Sequence, residues 1–190
     1  MKYNKYISYS RLNSYEDGRY YKEYILGIKL KSKYMDFGSY VHRELEKKET
    51  DDIMISSLKC LFPKYQQAEQ KMYAELEKIK LFSIIDVFSE ESKAFGDYKT
   101  GKNWTQSKAD KSDQITFYCL VIFRNFGYIP KTRIHWLETS EDENGNVYLT
   151  GHAETFETTR TIKDILLMAG RIKKADKGIK QLIDEYNKKT

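Results

Sequence analysis

Two short apolar runs, Ile79 to Phe88 and Lys93 to Lys99, are separated by only four polar residues, Ser89-Glu90-Glu91-Ser92. Runs of that length around a polar tetrad predict two strands joined by a tight turn. Each run also carries an aspartate, Asp86 in the first and Asp97 in the second, and Lys99 follows Asp97 by two positions. Strand side chains alternate between faces, so Asp97 and Lys99 project together, and the hairpin brings Asp86 beside them. Ile84, Ile85, Val87, Phe88 and Phe95 imply that this sheet has a buried face, where an unpartnered carboxylate is costly. Two carboxylates can hold a hard divalent cation. A lysine next to the cation can steady a water or offset charge developing on phosphate. Asp86, Asp97 and Lys99 thus form a workable site for phosphodiester cleavage. The alternative is that they are acids and a base at strand ends, with no role.

The rest of the chain frames this hairpin. A first helix is expected from about Ser10 to Leu26, and a second from Phe37 to Lys48, capped by Asp36, with Tyr40, Val41 and Leu45 at helical spacing. Residues 51 to 78 read as helix in pieces, broken near Pro63. Asp110 to Phe126 is an amphipathic helix presenting Ile115, Tyr118, Cys119, Ile122 and Phe126. Thr132 to Glu138 and Val147 to Phe156 are strands around an Asn144-Gly145-Asn146 turn. A last helix, Ile162 to Tyr186, carries Ile162, Ile165, Leu166, Ile172, Ile179, Leu182, Ile183 and Tyr186 on its apolar side. The order is three helices, two strands, a helix, two strands and a helix. It predicts an α/β domain with a central mixed sheet flanked by helices, spanning residues 1–190 as one unit.

At 190 residues one domain buries about 70% of its unfolded surface. No run approaches the roughly 20 apolar residues that span a bilayer, and Met1 to Lys5 precede no apolar leader, so a soluble, intracellular protein is expected. Two cysteines, Cys60 and Cys119, cannot build a disulfide framework or a four-thiolate cluster, and Cys119 reads as core. The net charge of +5 is unevenly spread: residues 1–35 and residues 160–190 each carry +5, leaving −5 for the middle. Basic ends around an acidic centre suit a polyanion gripped at the periphery with cations held between. They equally suit lysine-rich helices facing water.

Other residues could complete the site. His42 lies mid-helix, one turn after the small pair Gly38-Ser39, which permits close approach to a neighbouring backbone. A neutral imidazole can join a carboxylate site for Mn²⁺ or Mg²⁺. Gln114 and Tyr118, four apart, share one helix face. Eight tyrosines fall within residues 1–35 among Arg11, Arg19, Lys22, Lys29, Lys31 and Lys33, a mixture that stacks on unpaired bases and neutralises phosphates. Gly96 to Lys102 also matches most of a phosphate-binding loop. That reading fails because Asn103 stands where Ser or Thr must hold Mg²⁺, and no good helix start follows.

Taken in order, these segments resemble the PD-(D/E)XK nuclease superfamily, in its RecB-type branch. Ser8-Tyr9-Ser10-Arg11-Leu12 looks like the family's opening Ser-x-Ser-x-Leu helix. Phe37 to Glu46 looks like Phe-Gly-x-x-x-His-x-x-Leu-Glu, and Ile84-Ile85-Asp86 like the strand with the first acid. Gly96-Asp97-Tyr98-Lys99-Thr100-Gly101 is similar to the Asp-Tyr-Lys-Thr-Gly core, and Gln114 to Tyr118 to Gln-x-x-x-Tyr. The resemblance implies a restriction-endonuclease-like core and a metal-dependent DNA nuclease acting on DNA ends or single strands. His42, Asp86, Asp97 and the Tyr98 carbonyl would ligate Mg²⁺ or Mn²⁺, and Lys99 would orient the attacking water. Gln114 and Tyr118 would shape the site and, with Arg11, touch nucleic acid. The first helix lacks the cysteine that relatives use for an iron–sulfur cluster, and none follows Cys119, so no cluster is expected. The absence of a helicase segment implies a free-standing nuclease of the cytoplasm of a bacterial or phage-infected cell, with any helicase or recombination partner separate. The alternative is an inactive nuclease-fold protein that binds nucleic acid or inhibits a partner.

Overall fold

A computed structural model describes residues 6–29 and 31–189; Met1 to Lys5, Leu30 and Thr190 lie outside the described residues. The Ser89–Ser92 tetrad does close a hairpin. β3 (Ile79–Ser89) and β4 (Ala94–Gly101) run antiparallel, with Val87 opposite Gly96, Phe88 opposite Phe95 and Ser89 opposite Ala94. β5 (Lys131–Glu141) lies parallel to β4, and β6 (Val147–Thr158) returns antiparallel to β5.

Two strands were not expected. β1 (Tyr6–Ile7) pairs in parallel with Lys80 and Leu81 of β3. β2 (Gln67–Leu76) pairs antiparallel along β3 in a segment read from sequence as helix. Its Ala, Glu, Gln and Lys residues favour helix locally, but pairing with β3 along nearly its whole length overrides that preference. The result is a six-stranded mixed sheet.

The helices also shift. The first is two pieces: α1 (Tyr9–Glu16), then a single turn of π-helix at Tyr21–Ile25. Gly18 at φ +72° takes the left-handed conformation that ends the first piece. α2 (Lys33–Glu46) begins earlier than predicted, because Ser32 and not Asp36 caps it, accepting from the Met35 N–H at 3.2 Å. α3 (Ile53–Lys59) is capped by Asp52. The helix expected from Asp110 forms from Asp113 as α5 (Asp113–Phe126), preceded by a separate short α4 (Gln106–Asp110). α5 is buried on more than one face: Phe117, Leu120 and Val121 join Ile115, Cys119 and Ile122, whereas Phe126 is exposed. α6 (Ile162–Lys189) buries Ile165, Met168, Ile172, Ile179 and Ile183 but leaves Ile162 and Leu166 in solvent, contrary to the sequence reading.

Two apolar cores lie on the two sides of the sheet. α5 covers Leu81, Ile85, Phe88, Phe95, Ile134 and Trp136 on one side, and α6 packs outside it on α5 and α1. On the other, Val41 and Leu45 of α2 and Ile55 and Leu58 of α3 pack on Val87, Tyr98 and Leu137. Gly38 permits the close seating of α2: a Cβ there would stand 2.9 Å from Thr100 Oγ1. Cys119 is core as expected, and burial pushes its thiol up to about 12. No helix among the described residues is long and apolar enough to cross a membrane.

Candidate active site

The ladder between β3 and β4 stops at Val87–Gly96, one pair before Asp86 would face Asp97. On the other edge of β3, Asp86 also lacks a ladder partner, because β2 pairs with Val87 and Ile85 but skips the position between them. Glu69 occupies that skipped position at φ +51°, a conformation unusual for a side chain larger than glycine. Both interruptions fall at Asp86. Its carboxylate takes over a backbone role, accepting the Tyr98 N–H at 2.7 Å.

The alternation predicted for β4 holds. Lys99 Nζ lies 2.6 Å from Asp97 Oδ2. Asp97 is buried at 1% exposure, so this oxygen depends on the Lys99 ammonium alone. Gln114, on the first turn of α5, holds the pair from the side. Its Oε1 accepts from Lys99 Nζ at 3.0 Å, and its Nε2 donates to Asp97 Oδ1 at 3.3 Å and to the Tyr118 hydroxyl oxygen at 2.7 Å. The spacing of Gln114 and Tyr118 thus does bring them onto one face, and onto the centre. Burial, with Asp97 nearby, raises the Tyr118 phenol above its ordinary range.

His42 approaches from α2, with Nδ1 3.6 Å from Asp86 Oδ2. Burial is the main cause that lowers its pKa, followed by the Lys99 ammonium, with Asp97 and the Tyr98 backbone opposing. Asp86 moves the other way. Burial first, and then the charge of Asp97, push its carboxyl up to about 8, against the pull of Lys99 and the Tyr98 N–H. Arg11 stands apart from the carboxylates. It donates to the Tyr6 carbonyl at 3.0 Å and lies 4.9 Å over the Tyr24 ring.

One neighbour was missed. Glu46 adds to the negative field on Asp86, and its own pKa is raised by burial and by Glu69. It lies four residues after His42 on α2, a spacing that places both on one helix face and was legible in the sequence.

The donor set suits a hard divalent cation: two carboxylates, one imidazole and a backbone carbonyl. Two buried carboxyls facing a single ammonium, with Asp86 pushed up by burial and by Asp97, fit a further positive charge placed between the strands. Among the described residues no three His, Cys, Asp or Glu side chains already converge as a metal-binding group; Lys99 occupies Asp97, and the Tyr98 N–H occupies Asp86.

No protein-family model matches the chain, and no curated protein matches it. Solved structures do. The chain is similar to a candidate exonuclease from Eubacterium rectale, at 13% identity across 98% of this chain and 83% of that one, with a TM-score of 0.55. It is also similar to a phage-related exonuclease from Haemophilus somnus, at 14% identity across 94% and 84%, with a TM-score of 0.60. The shared feature is the fold, a mixed six-stranded sheet flanked by helices, and this chain has the fold of those two proteins.

Proposed function

We propose that the protein is a divalent-metal-dependent DNA nuclease of the PD-(D/E)XK type that processes DNA ends or single strands. One observation carries the reading: the sheet opens at the position where two aspartates on adjacent strands would pair, with a lysine on one and an imidazole beside the other. Such carboxylates are destabilising for a protein that makes no use of them. The fold shared with two exonucleases, by their names, supports the same reading.

In this mechanism Asp86, Asp97, His42 and the Tyr98 carbonyl would hold Mg²⁺ or Mn²⁺. The ion, when bound, supplies a water of lowered pKa and neutralises charge on the scissile phosphate. Asp86 must lose its proton to serve as a ligand, and relief of the Asp86–Asp97 repulsion favours that loss. Lys99, released from Asp97, positions the attacking water and offsets charge on the phosphate oxygens. Gln114 keeps Lys99 and Asp97 in register, and Tyr118 fixes the Gln114 amide. Nucleic acid is held through its backbone and the basic segments, so binding weakens steeply with salt.

The test is cleavage of linear duplex, linear single-stranded and circular single-stranded DNA with Mg²⁺, Mn²⁺ or EDTA. Lys99→Ala and Asp97→Ala should each reduce cleavage at least a hundredfold while DNA remains bound. Cleavage that persists in EDTA or in Asp97→Ala rejects the assignment. Binding without cleavage of any substrate favours an inactive scaffold.

A further inference from the structure

β3 has an unpaired stretch. On one edge it pairs with β1 as far as Leu81 and with β4 from Val87 onward, so on that side residues 82–86 meet no strand among those described. The opening is a groove of about 760 Å³. Ser8, Tyr24 and Lys29 line one wall, and Gln114 and Tyr118, the residues bracing Asp97 and Lys99, close its inner end. Ser83 also lines it. That residue is 3% exposed, and its hydroxyl has no hydrogen-bond partner.

Phe82 belongs both to this groove and to a row of rings. It lies 5.0 Å from Tyr73 across the strand pair, and Tyr73 lies 5.3 Å from Tyr6. Phe82 and Tyr73 are directly paired and sit on the face opposite Leu81 and Met72, which are buried under α5, so the row lies on the side α5 does not cover. Tyr73 is 54% exposed. At the facing wall the Arg11 guanidinium and the Lys29 ammonium lie 4.9 Å and 5.6 Å from the Tyr24 ring centre.

Cations, a partly exposed row of rings, a free strand edge and a buried hydroxyl without a partner together match the chemistry of an unpaired polynucleotide. Its bases offer faces to stack on and its phosphates accept from the cations and hydroxyls. A duplex turns its bases inward and has nothing to offer a row of rings. We infer that the groove and the Tyr73–Phe82 row bind an unpaired nucleic-acid strand and lead it to the carboxylate pair. The binding stands on the groove alone; only the destination rests on the nuclease reading.

The experiment separates the two. Fluorescence anisotropy with a labelled oligothymidylate, in EDTA, measures binding in the absence of cleavage. Hydrolysis of bis(p-nitrophenyl) phosphate by the unaltered protein with Mn²⁺ tests the chemistry separately. Phe82→Ala and Tyr73→Ala should each weaken oligothymidylate about tenfold. Phe82→Trp should retain affinity, and its added fluorescence should be quenched on binding. Leu166→Ser, on the exposed side of α6, should bind as the unaltered protein does. Unchanged affinity in both alanine variants overturns the inference. So does a blunt duplex that binds as tightly as oligothymidylate and loses as much affinity in those variants. If the diester is not hydrolysed but the ring variants lose oligothymidylate, the groove stands and the nuclease reading falls.

Discussion

The guanidinium of Arg160 uses every donor it has. Buried between β6 and α6, it donates to Thr116 Oγ1, Thr158 Oγ1 and the carbonyls of Thr159, Ala109 and Ser112, all within 3.1 Å. The Asp86–Asp97 pair, also withdrawn from water, is treated in the opposite way. Two acids share one region with a single ammonium between them, and the strand ladders on both sides of Asp86 are interrupted. The first cluster ties α4, α5 and β6 together. The second sets two carboxyls against one ammonium at the point where the ladders stop. A buried polar group with all partners supplied by the chain stabilises the fold; one left short is suited to a partner from outside.

The largest expected effect breaks the satisfied side. Arg160→Met should cost about 3–5 kcal/mol in urea unfolding, because it leaves three carbonyls and two hydroxyls without their donor. A loss below about 1 kcal/mol would erase the contrast.

The pH dependence of stability should differ in sign between two buried groups. His135 accepts or donates with Tyr65 Oη at 2.8 Å and Thr155 Oγ1 at 2.9 Å, and burial pushes its pKa down to about 4. A lowered histidine contributes stability that is complete above its unfolded value near 6.5 and is lost as pH falls toward 4, in all about 3 kcal/mol. Asp86 is raised to about 8. Its contribution is complete below the unfolded value near 4 and declines as pH rises through about 8, at no more than about 1.4 kcal/mol per pH unit. Between pH 4 and about 6.5 the two slopes oppose each other, so in EDTA His135→Gln should remove the rising limb there, and Asp86→Asn should flatten the falling limb between about pH 6.5 and 8. Unaltered limbs in both variants would contradict these environments.

The smallest effect sharpens the comparison. Gly38→Ala places a methyl 2.9 Å from Thr100 Oγ1 and should cost about 1 kcal/mol as α2 moves off the sheet. The same shift carries His42 away from Asp86, so Mn²⁺ affinity measured by calorimetry should fall severalfold. If affinity holds while stability drops, His42 is not a ligand.

The centre was more legible than its surroundings. Asp86, Asp97, Lys99, Gln114 and Tyr118 meet because period-2 and period-3.6 spacing act over a few residues, and β3–β4 and α5 form where the apolar runs indicate. β2 was hidden because its helix-favouring residues are overruled by a partner that sequence reading did not supply. The Asp36 cap failed because Ser32, one turn earlier, was equally able to cap. The break at Gly18 was written in the sequence, but the tyrosines at 15, 20 and 24 mimic a continuous helical stripe across it.

α1, one wall of the groove, is fastened to α6 by Arg171, which reaches Glu16 from 155 residues away. On a ribosome the first helix therefore emerges long before its anchor. Under the proposed reading, a half-made chain carries Asp86, Asp97 and Lys99 beside a wall that β1 already ties to β3 but α6 does not yet brace. The wall is therefore fully braced only once α6 has been made.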